Sequence, residues 1–396
     1  MKKYLILTYL LAVTQLSQAQ NNFNPSEGII SPKDYLTVIP YENINGKLII
    51  NVEINGKPGR FIFDTGMSIT MIDNKILDDS NHSTFSVLAR DQSGKTDSLS
   101  VNKLNHICIG HADFYEVPVI TMDFDQNPVL KCFNVDGYLG SNLLAHTAVR
   151  ISSIDKTITL TDNPSTLALN KEQSSEIFFI SEENRLPFIN ARFSNASDTV
   201  TEPVLFDAGA DHLYRLQLDH LPVFHETGIA EDIVKSVGSS SIGLFGNADD
   251  EIMFLVKIPK MEICGAVFNK LQVETSYENS SIGSLLFDFG IATFDYIHHL
   301  FYFEPFNEIS EVNEKFFPVS PTISDGKLVV GVIWDASLEN QISIGDQIVS
   351  IDDIDYANLA ICDLVVKGSA FKDKDAITLG IKDIHGDVKQ IRIERK

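Results

Sequence analysis

Two short stretches carry residue types that could do chemistry together. Phe61-Ile62-Phe63-Asp64-Thr65-Gly66-Met67-Ser68 sets three large apolar residues, a carboxylate, a small hydroxyl residue and a glycine in that order. Val204-Leu205-Phe206-Asp207-Ala208-Gly209-Ala210-Asp211 repeats the grammar in the second half of the chain. The apolar run reads as a buried strand, and a glycine just after the acid reads as a turn with close backbone approach. Each Asp therefore ends a core strand, where an unpaired carboxylate is costly. One such copy is an ordinary strand-to-turn junction with an Asx-type turn. Two copies in matching contexts point to a pair. Two carboxyl groups held about 3 Å apart cannot both ionise, so one keeps a proton. The charged member can then take a proton from water while the protonated one polarises a carbonyl.

These stretches resemble the two Asp-Thr/Ser-Gly motifs of the aspartic peptidases, and Asp207-Ala208-Gly209-Ala210-Asp211 is close to the retropepsin form, Asp-Thr-Gly-Ala-Asp. The resemblance covers roughly 34–308. It implies a mainly β chain with two duplicated, retropepsin-like β-barrel lobes at 34–165 and 176–308. It also implies an endopeptidase in which an Asp64/Asp207 dyad activates a water, with no cofactor and no metal. Supporting or substrate-positioning roles fall to Thr65, Gly66, Ala208, Gly209, Asp211 and Gly94. In the family the residue at Thr65 crosses to the other lobe and bonds its backbone. Ala208 stands where the family has Thr or Ser and cannot return that bond, a loss of about 1 kcal/mol. Lobes joined in one chain tolerate such a loss better than separate subunits. The departure keeps two further expectations open, a catalytically silent relative that binds peptide and a scaffold whose useful part is its C-terminal module.

The elements that must position the acids follow the same repeat. Leu48–Ile54, the turn cluster Asn55-Gly56-Lys57-Pro58-Gly59 and the run from Arg60 read as a hairpin that delivers Asp64. Ser86–Arg90, Asp91–Gly94 and Leu99–Val101 read as a second hairpin, in the place of the family's flap over the cleft. In the second half, Phe188–Phe193 and Val204–Phe206 deliver Asp207, and Gly243–Asn247 is a candidate second flap or loop. Tyr138-Leu139-Gly140-Ser141 is answered by Ser281-Ile282-Gly283-Ser284, and the closing hairpin 151–160 by 293–303. Asp155 and Asp295 recur as well and read as hairpin caps rather than catalytic acids. His298-His299 falls at a hairpin tip, where neighbouring side chains diverge, which disfavours a metal.

The last stretch changes character after an acidic linker at 308–314. Ile342-Ser343-Ile344-Gly345-Asp346-Gln347-Ile348-Val349-Ser350-Ile351-Asp352 resembles the Gly-Asp segment of a bacterial PDZ domain spanning 315–396. That resemblance implies capture of an extended peptide by strand addition. At the other end, Lys2-Lys3, the apolar Tyr4–Val13 and Ser17-Gln18-Ala19 read as a signal peptide over 1–19, followed by a flexible leader over 20–33. The expected product is exported, periplasmic or extracellular, and not membrane-embedded. A net charge of −23 argues against nucleic acid and anionic membrane surfaces. The partners expected are a peptide or protein substrate and a peptide ligand of the C-terminal module. The four cysteines offer no zinc spacing. Cys108 and Cys132 share the first lobe and could pair, but buried free thiols are the preferred reading.

Overall fold

The computed structural model describes residues 3–5, 24–26, 28–77, 85–180, 185–240, 242–313, 315–367, 371 and 374–396. The expected signal peptide at 1–19 lies outside these residues apart from Lys3–Leu5, a parallel strand beside residues 199–201. The leader expected at 20–33 is not wholly free. Its end, Ile29–Ser31, pairs antiparallel with residues 113–115, and Ile30 packs against the core.

The chain is mainly β. Lys47–Ile54 and Lys57–Phe63 form a hairpin around Asn55-Gly56, both with positive φ, the backbone that matches strand twist in a two-residue turn. The return strand is central and buried on both faces. Phe61 and Phe63 point into the main core, whereas Ile62 joins a second cluster towards the cleft-side hairpins. Its last three residues pair in parallel with Gly137–Leu139. In the second lobe Phe188–Ser194 and Thr199–Asp207 repeat the hairpin, and Ser281–Gly283 repeats the parallel neighbour.

The two lobes share one core. Ala148–Ser152 of the first pairs antiparallel with Gly290–Asp295 of the second, so their closing hairpins merge into one sheet. The fully buried Phe206 ring packs on Phe294 and Phe301, with centroids 4.7 and 5.3 Å away. His298 and His299 lie at the tip of that second hairpin. Asp295 caps the turn by accepting from the N–H groups of Ile297 and His298. Asp155 instead accepts from the Ser152 hydroxyl at 2.8 Å.

The last stretch has an apolar core of its own, including Val330, Ile348, Ile351, Leu379 and Ile393. It nevertheless does not stand apart. Gly238 of the second lobe pairs with Val332, at φ +142° and with the Gly331 carbonyl 2.1 Å from where a Cβ would sit. Only glycine permits that approach. On the first-lobe side, Asn127 accepts from the N–H groups of Val129 and Leu130 and so caps the helix Pro128–Phe133. This helix packs against the helix Ile361–Lys367, and Cys132 is disulfide-bonded to Cys362.

That bond excludes a Cys108–Cys132 pair and corrects the free-thiol expectation at Cys132, whereas Cys108 is free as expected. Cys132 leaves its helix towards the C-terminal unit, while Cys108 donates to the Gly110 carbonyl from the strand Thr96–Ile109. Cys108 and Cys264 are the free thiols, half-buried rather than buried, and burial pushes them up to about 11 and about 12. The disulfide links positions 230 residues apart, where the loss of chain entropy in the unfolded state is large. Cys362→Ser is expected to lower stability by about 2–4 kcal/mol. Thermal melts of wild type and variant, with and without reductant, check this: reductant should lower only the wild-type midpoint.

Candidate active site between the lobes

Asp64 and Asp207 come together where the two Asp-x-Gly loops interlock. Each carboxylate accepts from the glycine N–H of its own loop, Gly66 to Asp64 and Gly209 to Asp207, both at 2.9 Å. Each glycine also lies against the opposite acid. A Cβ on Gly66 would sit 2.4 Å from the Asp207 carboxyl, and one on Gly209 2.4 Å from that of Asp64. Any side chain there would force the loops apart. The two carboxyl groups are themselves in hydrogen-bonding contact.

The supports repeat with the lobes. Asp64 N–H donates to the Leu139 carbonyl, anchoring the first loop to its parallel neighbour. The Ser141 N–H donates to the Met67 carbonyl and the Ser284 N–H to the Ala210 carbonyl, both at 2.8 Å. Across the interface the symmetry is broken. Thr65 is fully buried, and its Oγ1 donates to the Phe206 carbonyl at 2.7 Å and accepts from the Ala208 N–H at 2.9 Å. Ala208, equally buried, has only a methyl group to offer in return.

Burial raises both acids above their usual value. For Asp64 the charge of Asp207 adds to burial and carries it to about 8. Asp207 is raised too, again chiefly by burial. The Lys47 ammonium opposes the shift on both. It hydrogen-bonds the Gly209 carbonyl, reaching across from the first lobe. The Asn45-Gly46 turn places it there. Ser284 Oγ donates to the Gly46 carbonyl at 2.9 Å, and Gly46 lies so close to Asp211 that a Cβ would meet its side chain at 2.7 Å. Tyr138, buried beside the pair, is pushed upward by burial and then by the two carboxylates.

Two hairpins close over the site. Asp91–Gly94 is the tip of the first, with Gly94 at φ +76°. It does not touch the dyad but crosses to the second lobe. Gln92 Nε2 donates to the Ile242 carbonyl at 3.1 Å, and Asp91 accepts from the Phe245 N–H at 2.7 Å. The candidate second flap, Gly243–Asn247, is thus the counterpart that the first one meets. It is also held by Asn127 Nδ2, which donates to the Leu244 carbonyl at 2.6 Å. A cavity of about 270 Å³ beneath these tips is lined by Lys47, Gln92, Ala210, Asp211, His212 and residues of the C-terminal unit. That lies just below the range of ligand-sized cavities, and neither Asp64 nor Asp207 is among the residues that line it.

The sequence reading named both acids, Thr65 and the two glycines, and the structure brings all of these into contact. Asp211 is exposed at the cleft edge and Gly94 sits at the flap tip, both away from the carboxyl pair. Lys47 was missed. Nothing in the text around Asn45-Gly46-Lys47 distinguishes it from a solvated turn lysine.

Residues 50–143, from the strand before Asp64 to Leu143, match the family described as Aspartyl protease. Among solved structures the chain is similar to basic 7S globulin from soybean, at 11% identity over 68% of this chain and 95% of that one, with a TM-score of 0.43. It is similar to conglutin gamma, a basic 7S globulin from lupine seeds, at 10% identity over 69% and 95%, with a TM-score of 0.43. No curated protein matches the chain.

Two outcomes follow from this geometry. Thr65→Val keeps the volume but strands a buried carbonyl and a buried N–H, and it is expected to cost about 2–4 kcal/mol; chemical denaturation measures it. Asp64→Asn should act in the opposite sense at neutral pH. The raised carboxyl holds its proton more tightly in the folded state, so wild-type stability falls as pH rises from the usual carboxylate range to about 8. The variant escapes that loss. Its advantage in unfolding free energy should grow over the same window, reaching about 1–3 kcal/mol, and melting curves of both proteins across that pH range check it.

Proposed function

We propose that the protein is an exported aspartic endopeptidase. The observation that carries this is the carboxyl pair at the interlocked loops. In the proposed reaction one ionised carboxylate takes a proton from a water as that water attacks the scissile carbonyl. The protonated partner hydrogen-bonds the carbonyl oxygen. The tetrahedral product then collapses, and the leaving amine takes a proton from the pair. The pair shares one proton, so its titration belongs to both residues together. The family match over 50–143 supports a protease-like kind. Export is supported by the Cys132–Cys362 disulfide, a bond that persists in oxidising compartments. No described helix is long and apolar enough to cross a membrane. In this reading the C-terminal unit is a PDZ-like module that holds extended peptide.

Ala208 favours one second reading, a silent relative that binds peptide without cutting it. Turnover separates the two. Digestion of unfolded casein by the purified protein from acidic to neutral pH should release peptides. Asp64→Asn and Asp207→Asn should each remove that activity, and the double variant should lose nothing more, because the groups act as a unit. Substantial cleavage by either single variant would rule out the dyad. Binding without any cleavage by wild type would favour the silent relative.

A further inference from the structure

One charged residue at the site takes no part in the proton transfers themselves. Lys47 opens the strand Lys47–Ile54 of the first lobe, yet its ammonium hydrogen-bonds the Gly209 carbonyl of the second Asp loop. We propose that Lys47 is a positioning residue of the dyad. From across the lobe interface it sets a positive charge beside the pair, and that charge fixes the pH range in which the pair holds a single proton. This deepens the peptidase reading and rests on it.

Three observations carry the proposal. First, the ammonium is held in place from both lobes. The Gly46 N–H donates to the Asn43 side-chain oxygen at 3.0 Å within the first lobe. From the second lobe, Ser284 Oγ bonds the Gly46 carbonyl at 2.9 Å and the Ala210 carbonyl at 2.8 Å. Lys47 leaves this pinned turn for Gly209, the residue that rests on the Asp64 carboxyl and donates its N–H to Asp207. Second, the charge is not shared. Among the described residues Lys47 makes no salt bridge. The other groups near the pair offer less. Arg215 lies 3.8 Å from the Glu274 carboxylate, which offsets its charge. His212 bonds Ser281 Oγ at 2.8 Å, and burial, then Arg215, holds it well below its usual value, so it is neutral. Burial pushes Tyr138 and Tyr296 upward, so they stay neutral as well. Asp211 is exposed beside Gly46. Third, Lys47 acts on both acids. Burial is the main influence on each, and Lys47 is the strongest of the groups that oppose it at Asp64 and at Asp207 alike.

A nearby positive charge favours the ionised carboxylate. Both apparent steps of a coupled pair therefore move down together. Base and acid are both present only between those steps, so removing the ammonium should carry the working range upward by about one pH unit or more. Carbon NMR of the full-length protein, labelled at the Asp side-chain carboxyls and titrated from acidic to alkaline pH, reads this without requiring turnover. Asp64→Asn and Asp207→Asn identify the signals of the pair. Lys47→Met, and Lys47→Gln, which keeps a donor without the charge, should each raise both steps by about one unit or more. Lys47→Arg keeps the charge and should return them close to wild type. Lys57→Met, at the exposed turn of the same hairpin, should leave them in place. An unmoved titration in a folded neutral variant would overturn the proposal, as would a shift in Lys47→Arg as large as in Lys47→Met. Loss of the fold in both neutral variants, read by thermal melts, would overturn it too, because Lys47 would then be a tether and nothing more. Casein digestion by the same proteins keeps the two readings apart. A wild type that never cleaves rejects the peptidase reading, while the titration still decides the role of Lys47. Where wild type cleaves, the optimum of the neutral variants should rise with the titration, and an optimum that stays put would overturn the proposal.

Discussion

One buried hydroxyl carries the meeting of the two lobes. Thr65 Oγ1 gives its proton to the Phe206 carbonyl and takes the Ala208 N–H. Both partners flank Asp207, so the bond fixes the second acid against the first. The glycines make this fixing possible. With no side chain at Gly66 or Gly209, each loop can rest on the other's carboxyl group. Two acids brought this close would repel if both were charged. Burial and proximity instead hold protons in the pair, and the Lys47 ammonium limits how far. The folded state thereby gives up stability at neutral pH to maintain this arrangement.

The asymmetry at Ala208 is tolerable for a structural reason. Here the strand Ala148–Ser152 pairs directly with Gly290–Asp295, and Phe206 packs into the common aromatic core. The lobes are held by a sheet and a core that do not depend on a second hydroxyl.

Much of this was legible because it is local and repeated. The strand-Asp-small-Gly text, the apolar-Gly-Ser segments and the hairpin turns each declare themselves within a few residues. The sequence offered less where contact joins distant segments without a pattern. Lys47 matters only because the Asn45-Gly46 turn is gripped by Ser284 and Asp211 of the other lobe. Cysteine pairing failed for the same reason. Free thiols are the preferred reading of the sequence, with Cys108 and Cys132 the one pair it offers, and nothing in Pro128–Phe133 states that the partner cysteine lies 230 residues on. The docking of the C-terminal unit was equally hidden. It rests on a glycine at Gly238, a disulfide and scattered side-chain bonds rather than on any motif.

The long reach of that disulfide also sets an order of events during synthesis. A chain made from its N-terminus exposes the first carboxylate well before the second, and Cys132 well before Cys362. Until the last part emerges, Cys132 is an unpaired thiol on a short helix, open to mixed disulfides. The helix Ile361–Lys367 follows long after both acids, so the wall it contributes to the cavity closes only once they are in place. A truncated product lacking that end would retain both acids but keep an open cleft and a reactive sulfur.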